Sequence, residues 1–561
     1  MPAATTKPSA DVWVHASKLC FGCGRNLEEG ENLSVFTSSS PWSDTSRDLG
    51  VLLKSDDLPT EPDVLETVKQ RHRECADVIT SIDSQINRLR AHIDSLEYQK
   101  RYMKDVLSKC KLVMSPARRL PHDVLAYIFD FYAEIYDSEL TFRRPPWVLG
   151  WVCRQWRLSV LSLPRLWTTF DLDLILEIDS SAHSIPTQLE RCRDQSIQVT
   201  IGDLSAEVSD NALSMLCSNN RASSWSHASM PMDAHIFKSL RPYAGLFTGL
   251  RCLHLDGIDV DHDANADGVS LDVFQNAPAL DTVSIWGEND CVDDLKLPWN
   301  QITHYTARDS EWFYATNSFH FTMLPRLENL QICWLDCIVL DEGTPLPSSP
   351  ILLPFLHTLT LSCAEPDLEG NHEGPPQLLD HLTLPALRTL RLRNGFFNTL
   401  RPLLRLVERS KCRLRDLALC ALHTSHEEDV LSLIKSGALK DLRMLWIGWG
   451  TAYNSETGWM EVFNLRVFRP LVRTSCEEDH LPSLRCLQTN DWDTDTLITI
   501  INSRRFIDDR QPSLDCLVLR DHRDWLPAQV EKRRADSEEK LRELREKGLR
   551  LEWGGTDFPE V

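Results

Sequence analysis

Residues 384–392 read LPALRTLRL, a Leu-Pro turn signal followed by leucines with the spacing Leu-x-x-Leu-x-Leu. Successive side chains of a β-strand point to opposite faces, so Leu390 and Leu392 would share one face and Arg391 would lie on the other. A single short strand cannot bury such an apolar face, whereas similar units stacked side by side bury it together. This stretch therefore predicts one unit of a repeating structure.

The same spacing recurs through the second half of the chain. Consecutive copies begin 22 to 42 residues apart, near the period of a unit that holds one strand and one return segment. A leucine-rich globular domain without repeat order is the alternative, and ten copies near one period argue against it. The strong copies begin at Leu250, Leu280, Leu327, Leu356, Leu387, Leu414, Leu442 and Leu514, and the weaker ones at Ile302 and Leu484.

These copies resemble leucine-rich repeats. The resemblance implies an α/β fold, a leucine-rich-repeat solenoid in which short strands alternate with helical return segments. The asparagine or cysteine that usually follows the strand in such repeats is missing, so we expect an irregular array.

The carboxyl-terminal residues have the pattern of a charged cap. Residues 535–547 form a charged helical pattern in which Leu541 and Leu544 would point inward, and Gly548 follows where a helix commonly ends. Residues 549–553 then alternate as a last strand. Because a stacked array needs a polar terminal unit to cover its open core, we expect residues 171–561 to form the array together with its cap.

The strands of such an array would expose side chains on one surface. In each copy the residues beside the second and third leucine point away from the core. Tryptophan and arginine are common anchors of protein interfaces, which makes Trp286 and Trp446 the leading candidates for target contacts, with packing on a neighbouring loop as the alternative. The predicted target-binding residues are His254, Trp286, Arg391, Arg393, Trp446, Asn490 and Arg520, with Asp256, Gln331 and Gln488 on the same surface.

A long amphipathic segment precedes the array. Between Ile79 and Leu96, six Ile or Leu residues follow one another in strict steps of three and four. The segment 63–115 contains no Gly or Pro. A narrow apolar seam of this kind is typical of coiled coils, so residues 61–115 are predicted to form a coiled-coil helix. The seam could meet a second copy, another partner or the same chain, and the sequence leaves these alternatives open.

Three short motifs follow in order after this segment. Residues 120–129 read LPHDVLAYIF, residues 152–157 read VCRQWR and residues 164–167 read PRLW. In the first motif, a proline at the first turn and apolar residues at helical spacing predict a helix. Together the motifs resemble an F-box, the small α-helical module of SCF ubiquitin ligase receptors. The matching residues are Leu120, Pro121, Val124, Leu125, Ile128, Phe129, Val152, Cys153, Trp156, Leu166 and Trp167.

The module over residues 116–170 is small for a self-sufficient core, yet it is rich in large apolar side chains. Another element or another protein must cover part of that surface. The F-box resemblance implies that the matching residues bind a Skp-type adaptor and, through it, a cullin, and that the array presents an unknown target for ubiquitination. One alternative is a non-catalytic repeat scaffold whose helical module only caps the solenoid. Another is an oligomeric assembly factor held together by the coiled coil.

Composition and charge exclude several other classes of protein. Sixty basic and 82 acidic residues give a net charge of −22, which repels phosphate backbones and argues against nucleic-acid binding. No apolar stretch is long enough to cross a bilayer, and the amino terminus lacks the apolar core of a signal peptide. We therefore expect an intracellular protein of the cytoplasm, the nucleus or both, without membrane association.

Residues with the spacing of a chemical site are few. Common nucleophile, phosphate-binding and dinucleotide motifs are missing from the sequence, so we expect no enzyme activity and no cofactor. The 17 cysteines lie mostly in apolar runs, where a reduced thiol acts as a small hydrophobe. Cys20 and Cys23 have the spacing of half a zinc site, but no second such pair exists. We expect no metal site there, and a disordered or weakly ordered tail over residues 1–60.

Overall fold

The computed structural model divides the chain into two compact units, Met1–Arg119 and Leu120–Val561. The expected tail over residues 1–60 and the Cys20–Cys23 pair lie outside the residues that the structure describes. The described residues are 62–135, 146–173, 175, 184–202, 206–257, 271–286, 295–308, 317–336, 346–362, 374–393, 400–422, 427–449, 465–473, 479–490, 492–505, 514–520 and 527–554.

The first unit contains the helix α1 (Pro62–Met114), which is 53 residues long and confirms the predicted helix. Pro62 occupies the first turn, where its missing N–H costs nothing. Asp63 in the first turn and Lys111 in the last turn carry charges of the sign that stabilises each end of a helix. None of the residues of α1 is buried, so its Ile and Leu seam is exposed. Pairing of this seam in a coiled coil stays a prediction.

The second unit is built around a 14-stranded parallel sheet in which neighbouring strands follow one another in chain order. A separate pair of short parallel strands, β8 (Ile351–Leu352) and β10 (Leu382–Thr383), lies outside that order. The strands of the large sheet are β1 (Thr169–Asp171), β2 (Ile197–Thr200), β3 (Trp225–Pro231), β4 (Cys252–Asp256), β5 (Thr282–Trp286), β6 (His304–Arg308), β7 (Ile332–Asp336), β9 (Thr358–Ser362), β11 (Thr389–Arg393), β12 (Asp416–Leu422), β13 (Met444–Trp449), β14 (Cys486–Thr489), β15 (Cys516–Arg520) and β16 (Arg550–Gly554).

Helices precede the sheet and supply several of the return segments between its strands. The described helices of this unit are α2 (His122–Ile135), α3 (Trp147–Val152), α4 (Arg154–Leu161), α5 (Ser184–Cys192), α6 (Ala206–Cys217), α7 (Ala234–Leu240), α8 (Asn317–Met323), α9 (Gly374–Asp380), α10 (Leu400–Ser410), α11 (Glu427–Lys435), α12 (Thr494–Arg505) and α13 (Pro527–Glu546). The chain is therefore α/β, with a long helix before a solenoid-like parallel sheet, in agreement with leucine-rich-repeat architecture.

Alternation along each strand separates the core from the opposite face of the sheet. In β11, Leu390 and Leu392 are buried while Arg391 between them is half-exposed, as residues 384–392 predict. The weak copy that begins at Ile302 behaves in the same way, because Tyr305 and Ala307 of β6 are both buried. The Leu-x-x-Leu-x-Leu spacing therefore identifies strands whose second and third apolar residues point into one continuous core.

One copy has a different register from the predicted one. The spacing predicts Leu327, Leu330 and Ile332 as its three apolar positions, but β7 buries Cys333 and Leu335 and leaves Ile332 half-exposed. The copy therefore begins at Leu330, three residues later. Cys333 takes the place of the second leucine, because a free thiol packs as a small apolar group.

Three strands precede the first predicted copy. Strands β1, β2 and β3 extend the sheet upstream of Leu250, and their inward residues are aromatic, β-branched, alanine or methionine rather than leucine. The inward residues are Phe170 in β1, Ile197 and Val199 in β2, and Trp225, Ala228 and Met230 in β3.

The predicted cap closes the other end of the sheet. Leu541 and Leu544 of α13 are buried, and Gly548 adopts a left-handed φ of +89°, the conformation that favours glycine after a helix. Strand β16 then pairs with β15, as predicted for residues 549–553.

The described helices include none that is both long and apolar enough to cross a bilayer. Within the same residues, no group of three or more His, Cys, Asp and Glu side chains is placed to bind a metal ion.

Candidate adaptor-binding surface and target-binding face

The helical module has a packed interior of its own. Leu125 and Phe129 lie one turn apart on α2, and both are fully buried. Phe129 contacts the Trp156 ring of α4 edge-on, with the ring centres 5.0 Å apart. Trp167 is buried too, and its indole N–H donates to the Val160 carbonyl oxygen at 3.0 Å. Aromatic rings from all three sequence motifs or their immediate surroundings therefore form one core.

This interior continues into the array. The guanidinium carbon of Arg191 in α5 lies 4.4 Å from the centre of the Trp167 ring and 4.7 Å from that of Trp147. Gln188 of the same helix donates to the carbonyl oxygen of Trp167 at 3.3 Å and to that of Thr169 at 2.7 Å. Burial lowers the pKa of the Arg191 guanidinium. The end of the module thus forms the first edge of the sheet.

The outer side of α2 carries a second apolar stripe. Val124, Tyr127, Ile128 and Phe131 follow at i, i+3, i+4 and i+7, the spacing of one helix face, and all four are exposed. We call these four residues the exposed stripe. Further exposed apolar side chains of the same module are Trp151, Val152, Leu158 and Leu161. Concentrated exposed apolar groups of this size are unusual on a folded monomer and mark interaction surfaces.

The eleven residues predicted to bind an adaptor therefore separate into three groups. Exposed are Pro121, Val124, Ile128 and Val152; half-buried are Leu120, Cys153 and Trp156; buried are Leu125, Phe129, Leu166 and Trp167. The four buried residues pack in the interior of the module, and the adaptor-binding role of all eleven stays a prediction. Tyr127, Phe131 and Trp151 are exposed apolar residues of the module that the predicted set did not include. The first two follow Val124 at steps of three and seven, the spacing of one helix face.

The face of the sheet opposite the core, which we call the open face, carries a register row across the strands. Its members pair side by side along the parallel ladder, so that Trp334 adjoins Thr360 and Thr360 adjoins Arg391. From β4 onward the row is His254, Ser284, Thr306, Trp334, Thr360, Arg391, Ala418, Trp446, Gln488, Val518 and Glu552.

Aromatic rings and cations alternate on this face. The His254 and Trp286 rings meet edge-on with centres 4.7 Å apart, and Trp286 is 38% exposed. Arg308 lies 5.3 Å from the centre of the Trp286 ring and 3.7 Å from that of Trp334. Arg393 lies 5.2 Å from the Trp334 ring on the other side of β7 in the sheet order. We call Trp286, Arg308, Trp334 and Arg393 the Trp–Arg ladder.

A second arginine and tryptophan pair repeats part of this geometry. Arg520 of β15 lies 4.8 Å from the centre of the Trp446 ring on β13, as Arg393 of β11 lies near Trp334 on β7. In each case the arginine reaches across one intervening strand. Beside Arg520 stands Gly554, where a Cβ atom would come within 3.0 Å of the arginine Cγ. The small residue leaves room for the arginine to lie across the sheet.

The predicted target-binding residues have mixed positions. His254, Trp286, Arg391, Arg393, Asn490 and Arg520 are half-buried or exposed, and five of them lie in strands. Trp446 is only 7% exposed, so the expectation that it offers a free surface is wrong. Gln331 is exposed but precedes β7, because that copy has the later register.

Sequence reasoning missed Trp334 and Arg308 on the open face. Trp334 follows Cys333, and only the register that begins at Leu330 points its ring outward. Arg308 is the last residue of β6, one step beyond the weak copy that begins at Ile302. Allowing a cysteine at the second leucine position of the repeat would have found the tryptophan.

Local interactions set the charge of the open face. His254 Nε2 lies 2.9 Å from Asp256 Oδ1, so this carboxylate has a partner at the end of β4. Burial lowers the pKa of Arg391, and the Asp416 carboxylate on the next strand opposes that effect. At the end of β7 the Asp336 carboxylate accepts from the Trp334 indole N–H at 3.2 Å, so the open face carries carboxylates beside the cations of the ladder.

No protein-family model matches the chain, and no curated protein matches it in sequence. A solved structure, the "Crystal structure of Rad7 and Elc1 complex in yeast", resembles it at 13% sequence identity with a TM-score of 0.26, covering 74% of this chain and 97% of that chain. Similarity at this level assigns neither a family nor a function.

Proposed function

We propose that this chain is a non-catalytic, F-box-type substrate receptor. Its helical module docks the Skp-type adaptor of an SCF ligase, which connects it to a cullin, and the open face of the array holds the target protein. The observation that carries the proposal is the exposed stripe, which begins in the first of three ordered motifs and remains uncovered although the same helix has a packed inner face.

The exposed stripe has the composition of a protein interface. Tyr127 and Phe131 offer large rings, and Val124 and Ile128 offer stiff branched groups beside them. Covering such groups with a partner removes apolar surface from water, and aromatic side chains contribute most where water is fully excluded. The packed core beneath the stripe holds α2 in place, so little order is lost on binding.

The role of the chain in ubiquitin transfer would be positional. Holding a target and a ligase adaptor on one polypeptide raises the effective concentration of the target lysine near the conjugating enzyme. Bond formation would take place on other subunits, so the proposed receptor needs no catalytic group of its own. A reducing compartment, the cytoplasm or the nucleus, suits the cysteines in the described part of the chain, all of which are free thiols.

The decisive experiment co-expresses the full chain with a Skp-type adaptor and measures co-purification. The double variant Val124→Asp, Ile128→Asp places two carboxylates on the exposed stripe, and we expect it to lose at least about 90% of the co-purified adaptor because an unpaired charge is costly in an apolar interface.

The matched control is Leu352→Asp, Phe355→Asp, which makes the same change at two exposed apolar residues of the array. It should retain the adaptor. Equal recovery with wild type and with the stripe variant would show that the stripe is not the docking surface.

The scaffold alternative has one observation in its favour. Trp147 and Trp167 pack on Arg191 of the array, so the module does cover the first edge of the sheet. A pure cap would need no uncovered outer face. If the wild-type chain fails to bind any Skp-type adaptor while remaining folded and monodisperse, the capping function is the one that stands.

A further inference from the structure

We infer that the Trp–Arg ladder binds a carboxylate of an acidic segment in the target protein. The inference rests on the proposed function of the open face as the target-binding surface and names the chemistry that this surface recognises. Its starting point is Arg308, a cation of the open face whose buried Nε–H has no hydrogen-bond acceptor among the described residues.

The surroundings of Arg308 fix its orientation. Strands β5 and β7 flank β6, and each supplies a tryptophan ring to the guanidinium, Trp286 at 5.3 Å and Trp334 at 3.7 Å from ring centre to carbon. A planar cation held against aromatic rings keeps its N–H groups at its edge, where they suit the two oxygens of a carboxylate. The aromatic neighbours therefore prepare the cation for a planar anion.

The hydrogen-bonding capacity of Arg308 is incompletely used. Its Nε atom is buried and has no acceptor among the described residues. Most charged groups that lose water in a folded protein gain a partner in exchange, because an unpaired donor or charge is costly. An anionic ligand at the outer edge of the guanidinium would compensate part of that cost. This gain in free energy favours the bound state.

A second cation lies close to the first. Arg308 and Arg393 are within 3.7 and 5.2 Å of the same Trp334 ring centre, which limits the separation of their guanidinium carbons to about 9 Å. Strands β7 and β9 separate the two arginines in the sheet order, and Asp336 of β7, which pairs with Ser362 of β9, accepts a hydrogen bond from the Trp334 indole N–H at 3.2 Å. An acidic segment bound at Arg308 would therefore lie over the same aromatic ring as Arg393.

The net charge of the chain favours a short acidic peptide over a nucleic acid. With a total of −22, the protein repels an extended polyanion at long range, whereas a single acidic segment meets mainly the local cations. The exposed Trp286 ring beside Arg308 also suits an apolar or aromatic residue adjacent to the acidic one.

The test measures binding of fluorescein-labelled octaglutamate to the purified full-length chain by fluorescence anisotropy at low salt. We expect saturable binding that weakens as salt is added. Arg308→Gln should weaken it at least about tenfold, because a charge-assisted hydrogen bond is lost. Arg308→Lys keeps the charge but loses the planar fork, and should lie between the two.

The matched control is Arg413→Gln, which removes the same charge from an exposed residue before β12 and should leave the affinity within about twofold of wild type. Thermal unfolding of each variant verifies that it is folded. If Arg308→Gln does not fold, Arg308→Lys takes its place in the comparison with Arg413→Gln.

Three results would overturn the inference: no binding of octaglutamate by the wild-type chain, equal affinities for Arg308→Gln and Arg413→Gln, or tighter Arg308-dependent binding of labelled octathymidylate. The adaptor experiment reports on a different surface. If Arg308→Gln loses peptide binding but still recovers the adaptor in full, both proposals are supported. If the wild-type chain binds the peptide but recovers no adaptor, the inference about the Trp–Arg ladder stands and the ligase assignment is wrong.

Discussion

Leu125 and Ile128 lie three residues apart on α2, yet Leu125 is fully buried and Ile128 is 38% exposed. The helix is therefore apolar on two sides, one that builds the module and one that remains available. In the sequence the two sides merge into a single broad stripe.

Alanine substitution should separate the two sides of α2. Leu125→Ala is expected to lower the free energy of unfolding by about 2–5 kcal/mol, because it leaves a cavity beside Phe129 and Trp156. Ile128→Ala should cost less than about 1 kcal/mol, since much of its side chain is already in water. Urea unfolding followed by circular dichroism measures both. Similar losses for the two variants would mean that the stripe is covered in solution.

Arg504 of α12 is expected to be the most sensitive charged residue of the array. Its guanidinium is buried and donates to the backbone carbonyls of Leu471, Leu481 and His480 at 2.7, 2.9 and 2.6 Å. Burial and then the nearby Arg473 lower its pKa to about 10, so it stays charged at neutral pH.

Arg504→Leu should therefore cost about 3–5 kcal/mol in the free energy of unfolding, because two buried carbonyls and one half-buried carbonyl lose their donor. Arg413→Leu, at an exposed position, provides the comparison and should change stability by less than about 0.5 kcal/mol. A small effect of Arg504→Leu in denaturant unfolding would show that those carbonyls find other donors.

His320 of α8 should make stability depend on pH. Burial lowers its pKa from 6.5 to about 4 in the folded chain, against a weaker opposing hydrogen bond with the Asp336 carbonyl. Between these two values the unfolded chain binds a proton that the folded chain does not. The contribution of the neutral imidazole to the free energy of unfolding is therefore fully present above pH 6.5. It falls by about 1.4 kcal/mol per pH unit as the pH drops toward 4.

Replacing this histidine should reduce that pH dependence. His320→Gln is expected to lose about 2 kcal/mol less than wild type between pH 7 and pH 5 in urea unfolding. His92→Gln, which removes a histidine from the exposed surface of α1, should behave like wild type. Parallel pH profiles for wild type and His320→Gln would contradict a buried neutral imidazole.

The exposed seam of α1 predicts self-association. A 53-residue helix with no buried residue gains most from a partner that covers its Ile and Leu side chains. Light scattering on the full chain should give about twice the mass of one chain. Ile86→Asp with Leu89→Asp should return it to a single chain, whereas Tyr98→Asp, off the seam, should not. A monomeric wild type would favour packing of the seam on its own chain.

The repeat pattern predicted the inward and outward residues of most strands, because spacing of two along a strand decides the face. It failed where several apolar residues were equally spaced. Leu327, Leu330 and Cys333 follow one another in steps of three, so either Leu327 or Leu330 can begin a copy. The choice between them decides which residues of the strand point away from the core. Pairing of β7 with β6 and β9 selects the later register and brings Trp334 to the open face.

The helix predicted for the first of the three motifs is confirmed by α2, but the apolar spacing alone does not separate its exposed residues from its core residues. Whether Val124 or Leu125 faces outward depends on where the Trp156 and Trp167 rings lie, and those rings come from segments far along the chain. The exposed Tyr127, Phe131 and Trp151 follow from that placement.

By itself, the sequence determined that this chain has a long helix, a helical module and a series of strands, since each depends on periodic apolar residues within one short segment. Only the tertiary structure decided which side of α2 is free, that Arg308 lies between two tryptophans with a buried Nε–H that has no acceptor among the described residues, and that Arg504 is buried. Such properties depend on how side chains distant in sequence pack together and shield one another from water, and no local sequence pattern predicts that packing.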